Sequence, residues 1–157
     1  RVTPISPVML LGVEFTIYVL YAFVSMVLIF PIAMLFWGVT LHGSWPAFIG
    51  SWLLTMVSTL SIGMMVGGIA KNEKMASVIA SALYFPMLIF SGATLPFEVM
   101  PGVMQKIVSM FPLTQGIQLM KATSLGQQVE HIWIPVVVMM AVTVICTGVA
   151  VKCFKWE

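Results

Sequence analysis

Few side chains in this chain could do chemistry, and they stand apart. Its histidines are His42 and His131, its cysteines Cys146 and Cys153, and its acids Glu14, Glu73, Glu98, Glu130 and Glu157. A metal site needs several such donors at ligand spacing, such as two close Cys-x-x-Cys pairs. Cys146 and Cys153 make no such pattern and read as packing residues at a membrane edge. An intramembrane enzyme needs a nucleophile beside a base, or metal ligands. Both histidines fall at the ends of apolar runs, too far out to serve a Ser or Thr within them. No Gly-x-x-x-x-Gly-Lys-Ser/Thr loop is present to cradle phosphates. The expectation is a chain that is not an enzyme, with no catalytic residue, no metal and no cofactor of its own.

The elements that carry these residues are apolar runs. Of the 157 residues, 61% are hydrophobic and 8% charged, against about 25% charged in ordinary soluble domains. From Phe15 to Ala70 there is no Asp, Glu, Lys or Arg. Such a stretch requires the lipid bilayer as its solvent. The net charge of +2 is too small to argue for nucleic acid.

Four spans are expected, at 15–41, 47–70, 75–95 and 132–151, each long enough for a hydrocarbon core of about 30 Å. Pro31 and Pro86 lie inside the first and third and are expected to kink them. Glu14 opens the first span, either as a charge at the membrane edge or as a polar contact to a neighbouring span. Gly63-x-x-x-Gly67 followed by Gly68 allows close helix approach, either inside one bundle or at a dimer face. Met64, Met65, Met87, Met100 and Met104 suit a tolerant apolar route or plain lipid-facing packing.

Residues 96–131 are too polar for a span and too apolar for a loop. Val99, Met100, Val103, Met104, Ile107, Val108 and Phe111 recur every three or four positions, with Gln105, Lys106 and Ser109 opposite. That is an amphipathic helix opened by Pro101 and closed before Pro112. A second short helix is expected from Leu113 to about Ser124, ending near Gly126. Glu98 reads as a helix-entry charge. The pair would sit in the outer headgroup zone or dip into it, as a cap on the bundle or as part of a substrate path. If the spans alternate, Arg1, Lys71, Lys74, Lys152 and Lys155 share one side and Lys106 and Lys121 the other. The basic excess makes the first side cytoplasmic, with both ends of the chain there. The fold expected is an all-α membrane protein with four transmembrane helices and an outer helical hairpin.

The run from Phe90-Ser91-Gly92-Ala93-Thr94-Leu95-Pro96 to Phe97-Glu98-Val99-Met100-Pro101 is similar to the membrane subunits of type-2 ATP-binding-cassette exporters. So is its continuation through Gln105 to Phe111-Pro112-Leu113-Thr114. The opening Arg1-Val2-Thr3-Pro4-Ile5-Ser6-Pro7 resembles the family's cytoplasmic stretch before its third span. On this resemblance the chain corresponds to spans three to six, is expected to be a piece of a longer protein, and carries at 96–131 the family's re-entrant hairpin.

The resemblance implies a permease paired with a second copy or homologous half. It also implies a separate ABC ATPase subunit or domain holding ATP and Mg. Residues 1–14 would form the coupling loop, with Arg1, Thr3, Pro4, Ile5 and Ser6 fitting a groove on the ATPase. An ordinary interfacial loop is the alternative there. Ser91, Gly92, Pro96, Met100, Pro101, Gln105, Pro112, Leu113 and Thr114 would build the outer hairpin and exit gate. Residues 152–157 would be a cytoplasmic tail. The expected function is outward movement of an amphipathic substrate such as a drug, a lipid-linked or polysaccharide cargo, or a peptide. The alternative is a secondary transporter or channel, which predicts ionisable groups deep in the spans or paired broken helices.

Overall fold

A computed structural model describes residues 7–127 and 132–153. The expected coupling residues Arg1, Thr3, Pro4, Ile5 and Ser6 lie outside the described residues, as do His131 and residues 154–157. Among the described residues six α-helices follow one another: α1 (Pro7–Trp37), α2 (Trp45–Ile69), α3 (Glu73–Phe90), α4 (Gly102–Val108), α5 (Pro112–Leu125) and α6 (Trp133–Cys153). A short 3-10 turn, Phe97–Val99, precedes α4, and no strand occurs among the described residues. Helices α1, α2, α3 and α6 are long and apolar enough to cross a bilayer. The protein is an all-α membrane protein.

Two spans have boundaries that differ from the expected ones for clear local reasons. Helix α1 takes in part of the stretch 1–14 expected as a loop, and it stops short of Leu41. Pro7 suits the first turn of a helix, where its missing N–H costs nothing. Glu14 carries a charge, but a charge does not break a helix. The end comes at Gly38, whose φ of +62° is left-handed and cannot continue the turn. At its 31 residues α1 is about 46 Å long, more than a hydrocarbon core needs. Helix α3 ends at Phe90 rather than Leu95. Gly92 adopts φ +89°. The hydroxyls of Ser91 and Thr94 donate to the freed carbonyls of Leu88 (2.8 and 3.2 Å), and Thr94 also to that of Ile89 (2.7 Å). At the other end of α3, Asn72 Oδ1 accepts from the Met75 N–H at 2.8 Å and caps the helix.

The core is built on α2, which packs most extensively on α6 and then on α5, with α1 and α3 as flanks. Leu11 and Met87 are the only buried side chains that α1 and α3 contribute among the described residues. Helix α2 buries Ser51, Thr55, Ser58 and Ser61 along one stripe. Their spacing of three and four places them on one helical face. In water such a face would point outward. In lipid the apolar side chains have a solvent already, and small hydroxyl residues let backbones close up. Three of the four hydroxyls are satisfied within the helix. Ser51 donates to the Ala47 carbonyl, Thr55 to Ser51 and Ser61 to Val57, each at 2.7 Å.

Candidate functional site: a hairpin and two cavities around one helix

Helix α5 is a core element and not a surface cap. It buries Pro112, Thr114, Gln115, Gly116 and Leu119. Gly116 lies directly on the Thr55 side chain: a Cβ there would fall 2.8 Å from Thr55 Cβ and nearer still to its branch atoms. At the far end, the Ser124 carbonyl accepts from the backbone N–H groups of His42 (2.9 Å) and Gly43 (3.1 Å) in the α1–α2 link. At the near end Leu113 shares a cavity with Thr59, Ile62, Gly63 and Val66, past the midpoint of α2. Helix α5 therefore runs antiparallel to α2, from the middle of the bundle to the end that carries the α1–α2 link. Its 14 residues cover about 21 Å. The segment from Ser91 to Phe97 stands beside Ile117, Gln118 and Lys121, farther up α5 than Leu113. The chain must descend from there to reach Pro112. The hairpin dips into the bundle and climbs out again.

The motif residues are the joints of that path. Ser91 is fully buried, and its Oγ also accepts from the Ala93 N–H at 3.2 Å. Pro96 precedes the 3-10 turn, Pro101 precedes α4, and Pro112 is the first residue of α5. Gln105 Nε2 donates to the carbonyls of Phe97 and Met100, both at 3.0 Å, clamping α4 to the turn before it. Gln115 Nε2 donates to the Ser109 carbonyl and closes the joint between α4 and α5. The stripe expected on α4 divides. Met100 and Val108 are buried, while Val99, Val103 and Ile107 are exposed. Three buried polar atoms, Ser58 Oγ, Thr114 Oγ1 and Gln118 Nε2, have no partner among the described residues.

Two cavities flank α2. The first, about 390 Å³, lies between α2 and α3, where Ala80, Leu83, Tyr84 and Met87 face Thr59, Gly63 and Val66. Leu113 at the tip of the hairpin reaches into it. The second, about 490 Å³, lies between α1 and α2. From α1 it is lined by Leu11, Glu14, Phe15 and Tyr18, and from α2 by Thr59, Gly63, Met64 and Gly67. Thr59 and Gly63 line both.

The three glycines expected as a packing face separate. Only Gly68 meets a neighbouring helix, with a Cβ there falling 3.2 Å from the Ala150 carbonyl oxygen of α6. A Cβ on Gly63 or Gly67 would meet nothing within 4 Å. Among the described residues no helix packs on Gly63 or Gly67. The methionines separate as well: Met64 and Met87 line cavities, Met100 is buried, Met65 is half-buried and Met104 is exposed.

Sequence reasoning missed the hydroxyl stripe on α2 and the cavity around Glu14. The stripe was visible in the spacing of Ser51, Thr55, Ser58 and Ser61. The cavity had no signal, because nothing in the sequence says how α1 leans on α2. The two helices meet through aromatic rings toward the link, with Phe30 at 5.2 Å from Trp45 and 5.5 Å from Phe48, and Phe23 at 6.4 Å from Trp52. Beyond those rings they part around Glu14.

The model of the ABC-2 family transporter protein matches residues 1–152. The "Inner membrane transport permease YhhJ" of Escherichia coli (strain K12) is 30% identical over 106 residues, which are 67% of this chain and 28% of that protein. "Nodulation protein J" of Rhizobium leguminosarum bv. viciae is 30% identical over 79 residues, 50% of this chain and 30% of that one. "Nodulation protein J" of Rhizobium meliloti (strain 1021) is 28% identical over the same length. The chain thus spans less than a third of the curated relatives it matches. No solved structure matches it at a significant level.

Proposed function

This chain belongs to the ABC-2 family of transporter proteins, and from that membership we propose that it is the membrane part of a permease subunit in an ATP-driven exporter. The observation that carries the proposal is the family match across residues 1–152 of a chain whose helices include four apolar spans. The membrane is the inner or cell membrane, in keeping with the printed name of the Escherichia coli relative. An ABC ATPase subunit or domain, with its ATP and Mg, supplies the energy. Arg1, Thr3, Pro4, Ile5 and Ser6 contact it from the cytoplasmic side, where both ends of this chain lie. A second permease copy or homologous half completes the path. The cargo is amphipathic and leaves outward.

In this scheme the α4–α5 hairpin occupies the outer half of the bundle. Its tip, Leu113, lines the cavity between α2 and α3. A small displacement of α5 against α2 would open that cavity toward the outer surface. The Gly116–Thr55 contact allows little intermediate adjustment, which favours two discrete positions over a continuum.

The test is reconstitution of the permease with its co-purifying ATPase in inside-out vesicles, with a fluorescent amphiphile outside. ATP-dependent accumulation in the lumen is the expected result. Accumulation driven by a proton gradient without ATP would replace this function by secondary transport. Pro4→Ala and Ile5→Ala are expected to lower ATPase stimulation severalfold while leaving membrane insertion intact.

A further inference from the structure

We propose that Glu14 and the groove between α1 and α2 form a binding site for lipophilic organic cations. Four observations carry this. The groove is about 490 Å³, within the range of roughly 300–1,000 Å³ common to small-molecule pockets. Among the described residues Glu14 is its one charged side chain, and no Lys or Arg lines either cavity flanking α2. Two of its α2 positions, Gly63 and Gly67, carry no side chain, and neither has a neighbour among the described residues within 4 Å of where a Cβ would stand. Its α1 wall offers the rings of Phe15 and Tyr18, one and four residues beyond Glu14.

These features ask for one kind of guest. Glu14 sits about two turns inside α1, roughly 10 Å from the start of the helix. A carboxylate beside apolar walls is stabilised by a cation and by little else. Aromatic faces next to it add attraction for a cation with a diffuse charge. The apolar walls and the missing side chains at Gly63 and Gly67 admit bulk around that charge. A helix of a second copy does not fit this description. The span interiors from Phe15 to Ala70, from Met75 to Phe90 and from Trp133 to Val151 contain no Lys or Arg. Laid into the groove, any of them would bury Glu14 without a counter-charge, which is strongly unfavourable.

The inference gives the export function its cargo class and rests on that function for its biological consequence, but the binding itself can be tested alone. The probes are tetraphenylphosphonium and tetraphenylborate, ions of the same shape and opposite charge, titrated into the full chain in non-ionic detergent. Wild type is expected to bind the phosphonium and to discriminate against the borate. Glu14→Gln, nearly the same size, should weaken phosphonium binding at least about tenfold, and Glu14→Asp should restore most of it. Gly67→Leu should block the phosphonium by filling the groove. Since Gly67 faces open space, that variant should stay monodisperse with an unchanged melting temperature.

Phosphonium binding within twofold of wild type in Glu14→Gln overturns the site. Equal binding of the borate overturns it too, and so does a Gly67→Leu variant that is folded and still binds. ATP-dependent transport is read separately. Cation binding without any transport would sink the exporter role and leave the site, whereas transport of other cargo without Glu14-dependent binding would do the reverse.

Discussion

The two faces of α2 use the same kind of residue to opposite ends. On one, Ser51, Thr55, Ser58, Ser61 and Gly68 are closed against α5 and α6. Thr147 Oγ1 reaches Ser61 Oγ at 3.4 Å, Gly116 lies on Thr55, and Gly68 lies on Ala150. On the other, Thr59, Gly63 and Gly67 look into open cavities. Small residues in a membrane helix permit close approach, but they do not compel it. Whether a neighbour arrives depends on the shape of the rest of the chain. A small residue that meets its neighbour makes a joint. One that does not makes room for something else.

The contrast can be broken most severely at Gly116. Gly116→Leu has no space beside Thr55 and is expected to lose at least about 3 kcal/mol, enough to lower the yield of folded protein in detergent. Thr55→Ala should recover part of that loss in a double-mutant cycle. Additive effects would mean that the two helices do not touch there.

Gly68→Leu comes next. It presses on the Ala150 backbone and should cost about 1–2 kcal/mol in thermal or denaturant unfolding. A neutral Gly68→Leu would place α6 farther from α2 than the structure does. Ser61→Ala removes the hydroxyl that accepts from Thr147 at 3.4 Å and donates to the Val57 carbonyl at 2.7 Å, and about 0.6 kcal/mol is expected by the same measurement. Gly63→Ala and Gly67→Ala, on the open face, should change stability by less than about 0.5 kcal/mol either way. If either costs as much as Gly68→Leu, the open face is closed in the folded protein and the comparison fails.

Much of the architecture was legible from hydropathy and punctuation alone. The four spans, the helix opened by Pro101 and the second short helix, expected from Leu113, all follow from local rules. So does the hairpin's existence, because the segment around Gln105 and Lys106 is too polar to cross and too apolar to hang free. The motif run from Ser91 to Thr114 pointed to the family before any contact was known. The end of α1 was misjudged because hydrophobicity continues through Val39 and Leu41 while the backbone turns at Gly38. The start of α1 was expected at Phe15 because the charge of Glu14 marks the limit of a hydropathy window without marking the limit of a helix.

Lipid chemistry written into the order of residues decided that this chain is helical, that it crosses a bilayer, and where most of its turns fall. Each of those outcomes depends on neighbours within one or two helical turns, and the backbone of a span must satisfy its hydrogen bonds within itself. The placement of α5 inside the bundle, the pairing of Gly116 with Thr55 and of Gly68 with Ala150, and the groove around Glu14 were settled only by tertiary structure. They depend on how far apart helices come to rest. Between apolar helices in an apolar solvent that distance is set by shape, and shape is a property of pairs of helices that no single segment carries.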